Sequence, residues 1–370
     1  YGMKQFFKLI LMALLFQSSV FIIFLLIRPS WPGPSSARRE PPVVPHDLLS
    51  QHLEQLTFSN RSEFRLQIIE GPSGEGIELP VIILQGKRKG PSLAVTAGIH
   101  GDEVTGVAAI FHFLDNLQVD DLNGTIIAIP VLNPYGFNRV QRAGENGKDL
   151  NRQFKARSLR DQEGLYTERL FNAFSVLKVT HHIDLHTATT FHDNCYYVRA
   201  DLSVPEIAKM SQIMMPDIIL NHSGPLNSLR MAMASDGIVA VTVEIGGPVK
   251  VDQQLARRTM SSLGLILEHL QMGGKVPIQF QSTTDPVVCS SSEWIRNIGG
   301  GLMEIFPQVN TFVSAGEPIA RRRDIFGNIL NIIGAPYDAV VIGTSVRLPI
   351  ADGGRIVHLG KANTKEITDR

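Results

Sequence analysis

Two residues with the chemistry of metal ligands, His100 and Glu103, stand three apart at the end of Leu93-Ala94-Val95-Thr96-Ala97-Gly98-Ile99-His100-Gly101-Asp102-Glu103. An imidazole and a carboxylate at that spacing, in a turn that enters a helix, converge on one cation in the way tetrahedral zinc chemistry requires. HxxE on its own arises by chance in many proteins and reads equally well as a polar turn capping a helix. A third ligand has to come from another strand end. His186 supplies it, where the run His181-His182-Ile183-Asp184-Leu185-His186 gives way to Thr187, Thr189 and Thr190. Strand alternation leaves the last residue of such a run freest to face a cleft, which ranks His186 above Asp184 and His182. Two histidines and a glutamate would hold one Zn2+ per chain with its fourth position open to water. Glu244 closes a further apolar run, 238–243. Burying a carboxylate there is costly unless something uses it, and desolvation would poise it as a general base. Asn151 beside Arg152 offers an amide and a planar fork, the donors that suit a substrate carboxylate.

Four short motifs therefore occur in order: HGDE at 100–103, DLNR at 149–152, DLHT at 184–187 and VEIG at 243–246. Together they resemble the succinylglutamate desuccinylase and aspartoacylase family of zinc hydrolases, relatives of the zinc carboxypeptidases. The resemblance implies that His100, Glu103 and His186 bind the zinc and that Glu244 is catalytic. It also implies that Asn151 and Arg152 hold the substrate carboxylate, while Arg142, in the same loop as DLNR, polarises the scissile carbonyl. The expected activity is hydrolysis of the amide bond of an N-acyl amino acid, or of a short peptide with a free carboxylate. A carboxypeptidase or an amidase acting on peptidoglycan peptides shares all of these parts. A membrane-tethered binding module without turnover is a further reading, and Glu244 with a complete ligand set counts against it. One departure is local: relatives carry Pro-Gly after the phenylalanine of DLNRxF, whereas Phe154 is followed here by Lys155-Ala156.

The elements that must position these groups follow from the apolar pattern. Residues 93–97 read as a buried strand, and 103–117 carry apolar residues close to a helical period. Residues 64–69 and 77–84 read as a hairpin leading into the ligand-bearing strand, and 125–131 as another buried strand, which together make an α/β layer. The long polar loop that follows carries Arg139, Arg142 and DLNR, and loops of that length in compact domains are usually functional. Helices are expected at 165–177, 205–214, 226–234 and 253–270, and strands at 181–186, 195–198 and 238–243. All the chemical residues then fall at strand ends or in one loop, where open α/β sheets place their sites. Beyond Gly273-Gly274 glycine-spaced β-type runs (302–306, 311–313, 329–333, 339–342, 355–359) point to a small β-domain. Val313-Ser314-Ala315-Gly316-Glu317-Pro318-Ile319 within it resembles the barrel-like C-terminal domain of the same family. The expected fold is thus a mixed-sheet, zinc carboxypeptidase-like α/β domain over 47–273 followed by a barrel-like all-β domain over 274–370. The resemblance spans about residues 64–360.

Lysine plus arginine equals aspartate plus glutamate at 35 each, so no basic face argues for nucleic acid. Two cysteines, Cys195 and Cys289, exclude a zinc-thiolate site and leave room for at most one bridge. Lys4 and Lys8 precede an uncharged run, 9–27, which as a helix would be about 28 Å long, close to the hydrocarbon thickness of a bilayer. That length favours an uncleaved signal anchor over residues 5–27 rather than a cleaved signal peptide. The basic N-terminal flank places the body of the chain outside the cytoplasm, on the periplasmic or extracellular side, or secreted if the segment is cleaved. Six prolines between Arg28 and Pro45 read as a stiff linker over 28–46, ending near Asp47 as a helix N-cap.

Overall fold

The run at 93–97 ends a ten-residue strand, and parallel neighbours flank it on both sides. The computed structural model describes residues 40–56, 61–155, 161–282, 284–347 and 349–362. The membrane span expected at 5–27 and most of the proline-rich linker lie outside those residues, and among the described residues no helix is long and apolar enough to cross a membrane.

In chain order the strands of the α/β part are β1 (Val43–Pro45), β2 (Arg61–Glu70), β3 (Gly76–Gln85), β4 (Arg88–Ala97), β5 (Asn123–Ile129), β6 (His181–His186), β7 (His192–Asn194), β8 (Tyr196–Ala200), β9 (Ile218–Asn221) and β10 (Val239–Ile245). Its helices are α1 (Leu49–Glu54), α2 (Thr105–Asn116), α3 (Pro134–Arg139), α4 (Gln162–Val176), α5 (Pro205–Ile213), α6 (Leu229–Ser235) and α7 (Gln253–His269). The β-rich region that follows comprises β11 (Val287–Arg296), β12 (Gly301–Ile305), β13 (Phe312–Val313), β14 (Pro318–Arg323), β15 (Ile329–Gly334), β16 (Ala339–Ser345), β17 (Pro349–Ile350) and β18 (Arg355–Ala362).

One mixed sheet runs β1-β2-β3-β5-β4-β6-β10-β8-β9-β11-β18-β16-β13, with β7 paired to β16; β15-β14-β12-β17 form a second sheet. At its centre β5, β4, β6 and β10 are parallel, so all four end on the same edge of the sheet. Alternation sorts their side chains onto two faces. Ile126, Val95, Ile183 and Val241 pack with α2, α5 and α7 on one side. Ile127, Ala94 and Ala240 pack with α1, α4 and α6 on the other. Helices covering both faces explain why the central residues of these strands are mostly apolar.

Several expectations are corrected in detail. The helix after the ligand turn begins at Thr105, not Glu103, because the chain spends residues 99–104 turning. The β2–β3 hairpin leads into the ligand-bearing β4 along the chain, as expected, and its β3 pairs with β5. Asp47 does not cap a helix: it sits in a 3-10 turn, and α1 has Leu48 at its N-cap with no side-chain bond. Val43–Pro45, inside the expected linker, pair in parallel with β2, an edge position where proline's missing N–H costs no ladder bond. Strands β9, β11 and β14 were not expected. β9 has four residues, β11 is diluted by Ser290-Ser291-Ser292, and β14 carries Arg321-Arg322-Arg323, so none shows a clean apolar period. Cys195 and Cys289 are both buried and share one apolar cluster where the β-rich strands join β8 and β9.

Two glycines shape the turn that carries the ligands. Gly98, directly after β4, has φ +63°, a left-handed conformation that side-chain-bearing residues avoid. Gly101 lies against α3, where an added Cβ would stand 1.9 Å from the carbonyl carbon of Gly136 and 2.1 Å from the Phe137 nitrogen. Asn133 completes the contact: its Nδ2 donates to the carbonyls of Ile99 and Ala143 at 3.2 Å, and its Oδ1 accepts from the Gly136 N–H. Gly101→Ala must therefore push backbone from backbone. Urea unfolding should show a loss of about 1–3 kcal/mol, the usual cost of overpacking; unchanged stability would mean that the turn is not seated on α3.

Candidate metal centre and substrate cavity

The parallel ends of β4, β6 and β10 bring the sequence-predicted ligands together. Thr96 on β4 and Thr242 on β10 both stand beside Asp184, and Glu244 stands beside His186. Asp184 and His186 are two apart on one strand and so point to the same face. Thr96, Asp184, His186 and Glu244 thus form a polar patch at the carboxyl edge of an otherwise apolar sheet.

His100, Glu103 and His186 offer ligand atoms that all lie within 4.8 Å of one another, and all three residues are buried. Glu103 bridges the two rings: Oε1 is 2.8 Å from His100 Nδ1 and Oε2 is 3.0 Å from His186 Nδ1, while the Thr187 N–H donates to Oε2 at 3.1 Å. The far nitrogen of each ring is held by a carboxylate, His186 Nε2 by Asp184 at 2.8 Å and His100 Nε2 by Asp149 at 3.1 Å. Asp184 is fixed in turn by the Thr96 hydroxyl, which donates to Oδ1 at 2.7 Å. A carboxylate on Nε2 places the proton there and leaves the Nδ1 lone pair facing the centre, the arrangement that orients histidine toward a cation. The donor set therefore fits a divalent metal ion. The same contacts set the electrostatics of the three groups. Burial pushes the Glu103 carboxyl up, but His100 and His186 overcome it and hold the group well below the usual carboxylate range. Burial pulls His186 down, and Asp184 and Glu103 outweigh that and raise it.

Arg142 reaches the same centre. Its Nη1 donates to Glu103 Oε1 at 3.1 Å and its Nη2 to Asp149 Oδ2 at 2.8 Å. Burial opposes its charge, but Glu103 and Asp149 more than restore it and raise its pKa. The DLNR motif forms a 3-10 turn, Leu150–Arg152, whose start is capped by Asp149 Oδ1 accepting from the Asn151 N–H. Asn151 is buried and spends its Oδ1 on the Leu229 N–H at 2.8 Å, which leaves its amide nitrogen available. Arg152 is exposed, with Nη1 donating to the Asn151 carbonyl. Glu244 lies against Arg199, whose Nε donates to Oε1 at 3.1 Å while Nη2 donates to the Tyr197 hydroxyl at 2.5 Å. This partly buried carboxylate is thus partnered by an arginine that the sequence did not single out.

All seven predicted residues line one cavity of about 640 Å³. Its other walls had no motif to announce them. Tyr197, Arg199 and Arg230 come from β8 and α6, and His192, Trp294, Arg355 and His358 from the β-rich strands and their neighbours. Trp294 is stacked on His358 with ring centroids 4.9 Å apart and meets the edge of His192 at 4.7 Å. Asp184 carried a readable signal, since it precedes His186 by two on a strand; ranking it only as a ligand hid its role behind one. Asp149 lay inside the DLNR motif itself.

Residues 89–270 match the Succinylglutamate desuccinylase/Aspartoacylase catalytic domain, and every predicted site residue falls within that span. The resemblance carried by HGDE, DLNR, DLHT and VEIG is borne out. The chain is 23% identical over 264 residues to the N-alpha-acetyl-L-2,4-diaminobutyric acid deacetylase of Halomonas elongata, a match covering 67% of this chain and 75% of that one. In fold it is similar to the product-bound ectoine utilization protein EutE (DoeB) of Ruegeria pomeroyi, with a TM-score of 0.72 at 17% identity over 83% of this chain and 98% of that one. It is equally similar to a succinylglutamate desuccinylase/aspartoacylase of Rhodobacter sphaeroides, with a TM-score of 0.72 at 18% identity over 84% and 98% of the two chains.

The carboxylates behind the rings generate a prediction. Asp184→Asn keeps shape but no longer fixes the proton on His186 Nε2, so metal affinity measured by competition with a chromogenic chelator should fall about tenfold to a hundredfold. Unaltered affinity would remove Asp184 from the centre's support.

Proposed function

Starting from a succinylglutamate desuccinylase/aspartoacylase catalytic domain over residues 89–270, we propose that this chain is a zinc-dependent hydrolase that cleaves the amide bond of an N-acyl amino acid. The observation that carries the reading is the juxtaposition, in one cavity, of a His-Glu-His donor set with a partly buried glutamate on the adjacent strand. His100, Glu103 and His186 would hold the ion. When bound, zinc at that position acidifies a water and polarises a carbonyl.

The chain's own residues supply the rest. Glu244 takes a proton from the attacking water and hands it to the leaving nitrogen, so that a C–O bond forms as the C–N bond breaks. Arg199 keeps the Glu244 carboxylate turned toward the cavity. Arg142 neutralises charge developing on the carbonyl oxygen. Asn151 and Arg152 receive the free carboxylate of the substrate and set the amide in register. In this division residues 47–273 carry the chemistry, and the barrel-like region from 274 contributes the cavity wall that holds Trp294, Arg355 and His358. The apolar run over residues 5–27 anchors the chain with this domain outside the cytoplasm.

Two outcomes check the reading. Glu244→Gln should still bind one metal ion but lose about a hundredfold to ten-thousandfold in kcat on N-acetyl and N-succinyl amino acids, because the amide preserves shape and cannot accept the proton. A rate close to wild type would move the base elsewhere. For the anchor, a reporter fused to the C-terminus should be active only on the outer side of the membrane, and the chain should stay with membranes through a high-salt wash. Recovery as a soluble, shortened chain would instead favour signal cleavage.

A further inference from the structure

His182 has none of its surface exposed, and the hydrolytic steps make no use of it. It stands between Ala94 on β4 and Ala240 on β10, and its ring centroid lies 5.6 Å from that of Phe174 on α4. An imidazole in such apolar company is costly unless its nitrogens find partners. Nδ1 has no hydrogen-bond partner among the described residues. Nε2 has the Thr96 hydroxyl, 2.9 Å away. That same hydroxyl donates to Asp184 Oδ1 at 2.7 Å, and Asp184 Oδ2 holds His186 Nε2 at 2.8 Å.

The direction of each bond in this series follows from the proton count. A hydroxyl has one proton, and Thr96 spends it on the Asp184 carboxylate, so toward His182 it can only accept. His182 therefore carries its proton on Nε2, and its orphaned Nδ1 is an acceptor without a donor. The opposite tautomer would claim the Thr96 proton for His182 and strip Asp184 Oδ1 of its donor. Burial pulls the His182 ring down to about 4 against the opposing pull of Asp184, so at neutral pH it is uncharged and has that one proton to give. We infer that His182 is a positioning residue of the metal centre: through the Thr96 hydroxyl it fixes Asp184 in the orientation that presents His186 Nδ1 to the ion. A hydroxyl that accepts one bond donates a stronger one, by about 10–30%, and a hydroxyl so held cannot turn away from Asp184. Neither His182 nor Thr96 is among the residues lining the substrate cavity, so the relay acts on the ligand and not on the substrate. The inference rests on the metal-centre reading for what the relay serves, and on the hydrogen-bond geometry for the relay itself.

The test is zinc affinity of the full chain, by competition with a chromogenic chelator, in wild type, His182→Leu, His182→Gln, Thr96→Val and the Thr96→Val/His182→Leu double variant. Proton NMR of the same metal-free proteins, isotope-labelled at histidine, follows exchange of the His186 Nε2 proton with water. His182→Leu should bind zinc about threefold to tenfold more weakly, less than the loss expected for Asp184 itself because the effect passes through one more bond. His182→Gln, whose amide can still donate to Thr96, should recover most of the affinity. Thr96→Val cuts the relay at its middle and should lose at least as much as His182→Leu, and adding His182→Leu to it should change nothing further. The His186 Nε2 proton should exchange slowly in wild type and His182→Gln, and faster in His182→Leu and Thr96→Val. Wild-type affinity in His182→Leu overturns the relay. So does a His182→Gln variant as weak as His182→Leu, which would mark His182 as a packing residue, or additive losses in the double variant, which would route its effect around Thr96. Should His182→Leu fail to fold, wild-type affinity in Thr96→Val overturns the relay equally. The metal-centre reading fails separately: a wild-type chain that takes up no zinc sinks it, and the relay then stands or falls on the exchange of the His186 proton.

Discussion

Glu103 is a carboxylate with 2% of its surface exposed, wedged between two imidazoles at the edge of an apolar sheet. A charge in that position is tolerated only if positive groups and donors surround it on all sides. Much of the architecture answers that demand. His100 and His186 flank it, Arg142 caps it, and the Thr187 N–H closes the remaining oxygen direction. Those groups are in turn fixed by Asp149 and Asp184, so the centre is a closed alternation of acid and base rather than a lone ion pair. Closed alternation of this kind costs least when a dication completes it, since the ion neutralises the carboxylate and both Nδ1 lone pairs together.

Sheet geometry makes this closure reachable from residues far apart in the chain. Parallel strands end on one edge, and a period of two puts Asp184, His186, Thr242 and Glu244 on one face of that edge. The His100 turn is brought in by Gly98, and its seat on α3 is closed by Gly101 and Asn133. Loop, sheet and β-rich wall then enclose a cavity lined by acids and arginines.

The central part of this was legible in the sequence because it is local or periodic. HGDE, DLNR, DLHT and VEIG each lie within four residues, and the apolar runs before them identify β4, β6 and β10. What stayed hidden depends on contacts between distant segments. The Arg199–Glu244 pair, the stacking of Trp294 on His358 and the burial of Arg230 have no sequence neighbour to mark them. β14 was invisible for a different reason: its three arginines are stabilised by Glu304 and Asn331 across the strands, so its composition contradicts strand propensity until the partners are known. Asp184 shows the intermediate case: alternation places it on the face of His186, but its role behind that ring appears only in the bond to Nε2.

Elemental analysis of the purified full chain is the most direct test, because the proposed hydrolase needs a dication that Glu103 and the two imidazoles would hold. Wild type should carry about one zinc per chain after exhaustive dialysis, and His186→Ala less than about a tenth of that, as expected for a three-ligand site that loses one. Stoichiometric zinc in His186→Ala, or wild-type chain that takes up none from a zinc-containing buffer, would contradict it.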